Sequence, residues 1–88
     1  MTEQPTLEQF PCEYTFKIFG RRSPTIVARV ATIVAQTFGE LPAGALRVRE
    51  SSAGRYVSLT IVLWVDDRTQ LEQVYAALRA EAEVLLYI

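Results

Sequence analysis

The chain has 88 residues, half of them hydrophobic, with nine lysines and arginines, ten acidic residues and a formal net charge of -1. This length predicts one domain with a modest core, and the charge balance argues against a dedicated nucleic-acid binder, which must neutralise phosphates. The sequence has no histidine and one cysteine, which excludes histidine acid–base chemistry, histidine metal sites and an internal disulfide bond.

The amino-terminal stretch shows no targeting or membrane pattern. Residues 1–9 are polar, contain Pro5 and show no periodicity, so we expect a disordered tail before a single domain over residues 10–88. The stretch lacks the basic and then apolar regions of a secretory signal, and no apolar run reaches the roughly 20 residues that cross a bilayer. We therefore expect a cytoplasmic protein that does not enter a membrane.

The first strand and the first helix are predicted from residues 13–39. Strand alternation over Glu13–Phe19 places Tyr14, Phe16 and Ile18 on one face and Thr15, Lys17 and Phe19 on the other. Gly20–Arg22 breaks the strand. Ser23 as N-cap and Pro24 in the first helical position then predict a helix start, and Gly39 predicts its end. The predicted buried stripe of this helix is Val27, Val30, Ala31, Val34 and Phe38.

A hairpin is predicted next. Leu46–Glu50 alternates over a short strand, Ser51–Gly54 is typical of a turn, and Arg55–Val65 is the longest run with a period of two. One face of that long strand is wholly apolar: Val57, Leu59, Ile61, Leu63 and Val65. The other face is mixed: Tyr56, Ser58, Thr60, Val62 and Trp64. A strand of this length is expected at the centre of the sheet.

The remaining elements are a second helix and a last strand. Asp66 and Asp67 cap the helix, whose predicted buried stripe is Leu71, Val74, Tyr75, Leu78 and Ala82. The last strand, Val84–Ile88, is expected to turn Val84, Leu86 and Ile88 towards the core and Leu85 and Tyr87 away from it.

The predicted order, βαββαβ, indicates an α+β fold of the ferredoxin-like type. Right-handed crossovers place both helices on one face of a four-stranded antiparallel sheet with strand order 4-1-3-2. The other face is then without helix cover. The residues that strand alternation places on this face predict an interaction surface for a partner protein or a second copy of the chain. The alternative is a set of scattered surface aromatics, which are common on folded proteins. The residues of this predicted surface are Lys17, Phe19, Tyr56, Val62, Trp64, Leu85 and Tyr87.

An uncovered sheet with aromatic side chains also raises RNA binding. The RRM motif on the corresponding strand requires basic, glycine, aromatic, small and aromatic residues within a short run. The segment Gly54-Arg55-Tyr56-Val57-Ser58 supplies one aromatic and lacks the second. Together with the acidic balance, this argues against a nucleic-acid partner.

A second candidate site is the turn before the first helix. Gly20, Arg21, Arg22 and Ser23 lead into a helix amino terminus, where free amides and two guanidinium groups can hold a carboxylate or a phosphate. A small acidic ligand is therefore one hypothesis for this turn, and a solvated turn with an ordinary cap is the other.

The remaining reactive groups have structural interpretations. Arg47, Arg49 and Arg55 form a local basic patch that suits a sheet edge and can also receive an acidic partner. Asp66 and Asp67 are read as helix caps rather than as a metal or acid–base pair. Cys12 is read as a bystander rather than a redox thiol. Catalysis by Lys17 or the carboxylates remains a third hypothesis.

Three stretches resemble the YbeD-like bacterial proteins, the UPF0250 or DUF493 family, over about Phe10 to Ile88. They are Phe10-Pro11 with Thr15–Gly20, then Ser51–Ser58, then Gln70 with Tyr75 and Leu78. The resemblance implies a small cytoplasmic protein of ferredoxin-like fold, close in shape to ACT regulatory domains, without known catalytic residues. ACT domains commonly bind amino acids at the turn after the first strand, usually at a dimer interface. In place of their acidic residue and Pro-Gly, this chain has Gly-Arg-Arg-Ser-Pro at residues 20–24.

The sequence thus predicts a non-enzymatic regulatory or protein-interaction module without cofactor or metal, acting through the uncovered sheet face. The alternative is an ACT-like sensor of an amino acid or another carboxylate at the turn after the first strand.

Overall fold

The order of helices and strands follows the sequence prediction throughout residues 10–88, the part of the chain that the computed structural model describes. The predicted tail at residues 1–9 lies outside the described residues. The elements are β1 (Cys12–Arg21), α1 (Ile26–Phe38), β2 (Leu46–Glu50), β3 (Tyr56–Val65), α2 (Arg68–Arg79) and β4 (Val84–Tyr87).

The four strands form one antiparallel sheet in the order β2-β3-β1-β4, which confirms the predicted α+β, ferredoxin-like arrangement. The two central strands pair over their full length, from Cys12 opposite Val65 to Arg21 opposite Tyr56. Gly20 and Arg21 therefore continue β1, two residues beyond its predicted end. Both long strands are central because they alone have enough residues to satisfy hydrogen bonds along two edges.

The core lies between one face of the sheet and the two helices. The even residues of β1 and the odd residues of β3 supply the sheet side, as the alternation predicts. Each fully buried aliphatic or aromatic side chain contributes about 1.5–3 kcal/mol through its removal from water. The largest fully buried side chains are Phe16, Ile18, Ile26, Leu59, Ile61, Leu78, Val30, Val34, Val65 and Val74.

The start of α1 differs from the prediction. The helix begins at Ile26 with Thr25 as its N-cap, rather than at Ser23 and Pro24. The hydroxyl of Ser23 donates to the carboxylate of Glu83 at 2.9 Å and accepts from the amide of Thr25 at 3.3 Å, so it closes a turn before the helix. The end of the helix at Gly39 is as predicted, with φ at +80°, a backbone conformation that glycine adopts without steric cost.

The acidic pair before α2 caps the helix, as predicted. The Asp67 carboxylate accepts from the amide of Gln70 at 3.3 Å, and the Gln70 side chain accepts from the amide of Asp66 at 2.7 Å. This exchange resembles a capping box, which satisfies amides that lack partners within the helix. The predicted stripe of α2 is too long by one residue, because the helix ends at Arg79 and Ala82 is exposed beyond it.

The predicted facing of β4 is wrong over most of the strand. Tyr87 lies opposite Ile18, which points into the core, and Leu86 lies opposite Phe19, which points away from it. The register shifts between Phe19 and Gly20, where Leu85 is the extra residue of a bulge. The inserted residue inverts the alternation, so Tyr87 faces the helices, whereas Leu86 and the following Ile88 face away from them.

Candidate functional site: the open face of the sheet

The sheet has one face that no helix of the described chain covers, which we call the open face. The register places side chains from all four strands on it: Glu13, Thr15, Lys17, Phe19, Arg21, Arg47, Arg49, Tyr56, Ser58, Thr60, Val62, Trp64, Leu86 and Ile88. Each strand exposes alternate residues there, so neighbouring side chains on one strand stand about 6.6 Å apart and neighbouring strands about 4.8 Å apart.

One half of the open face concentrates positive charge. Arg47 and Lys17 flank Thr60 in one row, Arg49 lies beside Ser58 in the next, and Arg21 follows opposite Tyr56. We call Lys17, Arg21, Arg47 and Arg49 the basic half. Ion pairs within residues 10–88 engage three other arginines, namely Arg22 with Glu50, Arg29 with Glu81 and Arg68 with Glu72, and none engages a member of the basic half. The four cations are therefore available to an external anion.

A shallow groove of about 470 Å³ lies at the edge of the basic half, beside Arg49 and the turn of the β2–β3 hairpin. Its volume falls in the range of small-ligand pockets, which span roughly 300–1,000 Å³. It combines the guanidinium of Arg49 with two aromatic rings and several hydroxyl groups. The lining residues are Phe19, Arg49, Glu50, Ser51, Ser52, Tyr56, Val57 and Ser58. Such a lining can receive an extended segment that carries both an acidic and an apolar side chain.

The predicted apolar patch is divided in two. Trp64, 60% exposed, lies opposite Glu13 at one end of the sheet, with Val62 opposite Thr15 beside it. Phe19 lies six residues from Glu13 along β1, which corresponds to about 20 Å. The charged and hydroxyl side chains of the Lys17 row separate the two ends. The apolar side chains of the predicted interaction surface are therefore not contiguous.

The structure brings some of the predicted surface residues together and moves others. Lys17, Phe19 and Tyr56 lie in or beside the basic half, and Leu85 is half-exposed at the bulge. Tyr87 is not on the open face, because the bulge turns it towards α2, where its ring stacks on that of Tyr75 at a centroid distance of 5.4 Å. That stacking ties β4 to the helix layer.

Tyr75 stands at the centre of an aromatic cluster beneath the sheet. Its hydroxyl shares a 3.1 Å hydrogen bond with that of Tyr14, and its ring also packs edge-on against Phe16. Burial, followed by the hydrogen bond and electrostatic influence of Tyr14, raises the pKa of Tyr75 well above its usual range. A phenol with so high a pKa stays protonated and is poorly suited to act as a base at neutral pH.

The turn after β1 is a structural joint in which most polar groups have partners. The amide of Arg21 donates to the carbonyl of Glu83 at 3.0 Å, and the amide of Arg22 donates to the carbonyl of Arg55 at 2.9 Å. The Arg22 guanidinium pairs with Glu50 at 3.0 Å, and Ser23 bonds to Glu83 as described above. The four residues predicted as a ligand site do not converge, because Gly20 faces the core and Arg21 lies on the open face.

Gly20 has a packing role in this joint. A methyl group at Gly20 would meet Cδ1 of Ile26 and would lie 2.6 Å from the carbonyl oxygen of Glu83. The glycine therefore lets the end of β1 pass beneath α1 and beside the segment that leads into β4.

The region that the structure describes contains neither a cluster of metal-ligating side chains nor a helix that could span a membrane. Residues 10–88 contain no group of three cysteine, aspartate or glutamate side chains that can hold a metal ion. No helix within the same range is both long and apolar enough to span a bilayer. Cys12 is a free thiol, partly exposed at the start of β1.

Sequence reasoning missed several residues of the open face. Arg21 was assigned to a turn because Gly20 looked like a strand breaker, and Leu86 and Ile88 were assigned to the core. No local signal predicts the bulge at Leu85, since Val84–Ile88 is apolar on both faces. Alternation along β2 does predict that Glu50 lies on the opposite face of the sheet from Arg47 and Arg49. Glu50 pairs there with Arg22 and leaves Arg47 and Arg49 without an ion-pair partner among residues 10–88.

Comparisons with known proteins place the chain among similar sequences. Residues 5–88 match the model of a family described as a protein of unknown function, DUF493. A UPF0250 protein of Nitrosomonas europaea is 33% identical over the full length of both chains. UPF0250 proteins of Paraburkholderia phytofirmans and Pseudomonas paraeruginosa are 36% and 34% identical, over 83% and 92% of this chain and 82% and 88% of theirs.

Proposed function

Because the chain belongs to the DUF493, or UPF0250, family of proteins of unknown function, we propose its function from its own surface: it is a non-catalytic interaction module that binds an acidic segment of a partner protein on the open face. The observation that carries this proposal is the basic half, in which Lys17, Arg21, Arg47 and Arg49 share one surface without ion-pair partners among residues 10–88. Like charges at such spacing repel one another, and a bound acidic segment relieves that repulsion.

Two features favour a protein segment over other anions. The groove beside Arg49 offers the rings of Phe19 and Tyr56, which suit an apolar side chain next to an acidic one. Non-specific single-strand binding needs a row of stacking aromatics along a basic channel. Across the described part of the open face, Trp64 stands at the far end beside Glu13, outside any such row.

The expected affinity is modest and depends on salt. Exposed ion pairs contribute about 0.2–1 kcal/mol each, because solvent screens them and both side chains lose freedom. Four such pairs with one buried apolar side chain give a dissociation constant on the order of 10⁻⁵–10⁻² M. Affinity of this kind suits a regulatory contact that forms and dissociates readily.

The alternative, a small acidic ligand at Gly20–Ser23, has weaker support. A carboxylate placed there meets Glu50 and Glu83, which already engage Arg22 and Ser23. Binding would first have to break these contacts. The alternative predicts that Arg22→Ala abolishes binding of a carboxylate without loss of folding.

Non-catalytic function is supported by the chemistry at hand. The sequence lacks histidine, and the group with the most displaced pKa, Tyr75, is held protonated within a packed aromatic cluster away from the open face. Lys17 stands on the open face with hydroxyl neighbours rather than with a carboxylate that can exchange protons with it.

Charge reversal tests the proposal. A fluorescent oligo-glutamate peptide serves as the acidic probe, and its anisotropy reports binding. The double variant Arg47→Glu/Arg49→Glu is expected to bind at least about tenfold more weakly than the wild type. Arg79→Glu, which reverses a charge on α2, is the matched control and is expected to bind within about twofold of wild type. Equal binding by the double variant and the wild type would refute the basic half as the site.

A further inference from the structure

We infer that the outer edge of β4 is a second interaction surface and that its partner is β4 of another copy of this chain, paired antiparallel about a two-fold axis. This surface is distinct from the basic half and does not depend on the acidic partner proposed above.

The β4 edge is short and carries the bulge at Leu85, but it lacks the charged residues and the proline that also protect exposed strands. No strand among residues 10–88 pairs with its outer side. Val84–Ile88 contains no charged residue and no proline. Leu85, Leu86 and Ile88 are exposed by 48%, 55% and 57%, among the most exposed large hydrophobic residues of the described chain. Unpaired edges with apolar side chains and no charge are the ones that recruit another strand.

The opposite edge of the same sheet provides an internal comparison. β2 carries Arg47, Arg49 and Glu50 within five residues, and charged side chains of this density discourage strand addition. Charged side chains therefore protect one edge of the described sheet and are missing from the other. The difference indicates that pairing occurs at β4 and not at β2.

The hydrogen-bond pattern leaves suitable backbone groups on the outer side of β4. Lys17 and Ile88 exchange two backbone hydrogen bonds, at 2.9 and 2.8 Å. Tyr87 and Ile18 form the next pair along the two strands. Hydrogen-bonded and non-hydrogen-bonded pairs alternate in an antiparallel ladder, so Tyr87 and Ile18 exchange no backbone hydrogen bonds. Its amide and carbonyl therefore point away from β1. A second strand alongside β4 satisfies both groups.

A second copy fits this edge better than the acidic partner does. In antiparallel pairing about a two-fold axis perpendicular to the sheet, β4 meets an identical strand, so no charged side chain is buried. The same symmetry keeps both helix layers on one side and makes one continuous sheet of eight strands. An acidic segment would instead bring carboxylates against Leu85 and Leu86, where no cation of the described open face lies in the same strand.

The contact area limits the strength of this dimer. Pairing of a four-residue strand, with the half-exposed side chains of Leu85, Leu86 and the following Ile88, buries less than the roughly 1,200–2,000 Å² of a stable interface. The expected dissociation constant is therefore on the order of 10⁻⁴–10⁻³ M, so the dimer forms at high concentration and dissociates on dilution.

Sedimentation equilibrium over a concentration series tests the inference. The wild-type chain is expected to shift from the mass of a monomer to that of a dimer as its concentration rises through roughly 10⁻⁴–10⁻³ M. Leu86→Lys is expected to weaken dimerisation by at least about tenfold, because it places a charge at the centre of the contact. Val48→Lys, at a residue 47% exposed on the other edge, is the matched control and is expected to dimerise as the wild type does.

Amide hydrogen exchange of the wild type gives a test that needs no variant. The Tyr87 amide is expected to exchange rapidly in dilute protein and more slowly as concentration rises, while the Ile88 amide, bonded to Lys17, changes little. A chain that stays monomeric at all concentrations, or one that Val48→Lys dissociates and Leu86→Lys does not, would overturn the inference.

Discussion

Replacing Gly20 with alanine tests whether the turn after β1 is a structural joint. The φ angle of Gly20 lies outside the left-handed region, so alanine can adopt its backbone conformation. Without a steric obstacle, the substitution would stabilise the protein by about 0.4–1 kcal/mol through the lower entropy of the unfolded chain. The new methyl group, however, meets Ile26 and lies 2.6 Å from the carbonyl oxygen of Glu83, which belongs to the backbone and cannot rotate away.

Whether Gly20→Ala lowers or raises the free energy of unfolding therefore decides whether the turn after β1 is a structural joint. Overpacking a close contact costs about 1–3 kcal/mol, which exceeds the entropic gain. The expected net loss of 1–2 kcal/mol lowers the Tm of a chain of this size by roughly 4–16 °C. Circular dichroism during thermal and urea unfolding measures both quantities. The new methyl group points towards Ile26 and Glu83 rather than onto the open face, so the folded variant should still bind the oligo-glutamate probe.

A double-mutant cycle identifies the obstacle. Ile26→Val removes Cδ1 of Ile26 and costs about 0.5–1.5 kcal/mol by itself. Gly20→Ala should cost at least about 0.5 kcal/mol less in the Ile26→Val background than in the wild type, because one of the two close contacts is gone. A Gly20→Ala variant more stable than the wild type, or strictly additive effects in the cycle, would refute the packing explanation.

Two further predictions concern the cap of α2 and the buried phenol. Asp67→Ala should lower the free energy of unfolding by about 0.5–2 kcal/mol in urea titrations, whereas Asp66→Ala, which keeps its backbone bond to Gln70, should cost less than about 0.5 kcal/mol. Equal losses would contradict the assignment of the cap. Because burial raises the pKa of Tyr75, its contribution to stability should be constant below pH ~10 and fall at higher pH, where the unfolded phenol ionises and the folded one does not. Tyr75→Phe should flatten that fall, and an unchanged pH slope would refute the explanation.

The fold was predictable because both central strands carry unambiguous patterns. Every second residue of β3 from Val57 to Val65 is apolar, and this face coincides with the buried face in the structure. The helix caps at Asp67 and Gly39 are local chemistry and were correctly placed. The start of α1 was not, since the hydroxyl of Ser23 bonds to Glu83, 60 residues away, and a contact of that kind has no local signature.

The candidate site was predictable in location but not in composition. The open face follows from the order of elements, and Lys17, Phe19 and Tyr56 follow from alternation. The residues of β4 that join them are set by a single inserted residue. Because Val84–Ile88 is apolar at every position, the sequence does not indicate which alternate residues face the helices. The predicted surface was therefore too apolar, and the basic half emerged only once the register aligned Arg21, Arg47 and Arg49 across the sheet.

The most direct test of the central claim is an amide NMR titration of the full chain with the oligo-glutamate peptide at low salt. Shifts are expected in β1, β2 and β3 around Lys17, Arg49 and Tyr56, and they should disappear when salt is raised, with α1 and α2 unaffected. Shifts confined to residues 20–26 would instead support a ligand site at the turn after β1. A spectrum that does not change, or changes only on the helices, would contradict the proposal that the open face binds an acidic segment.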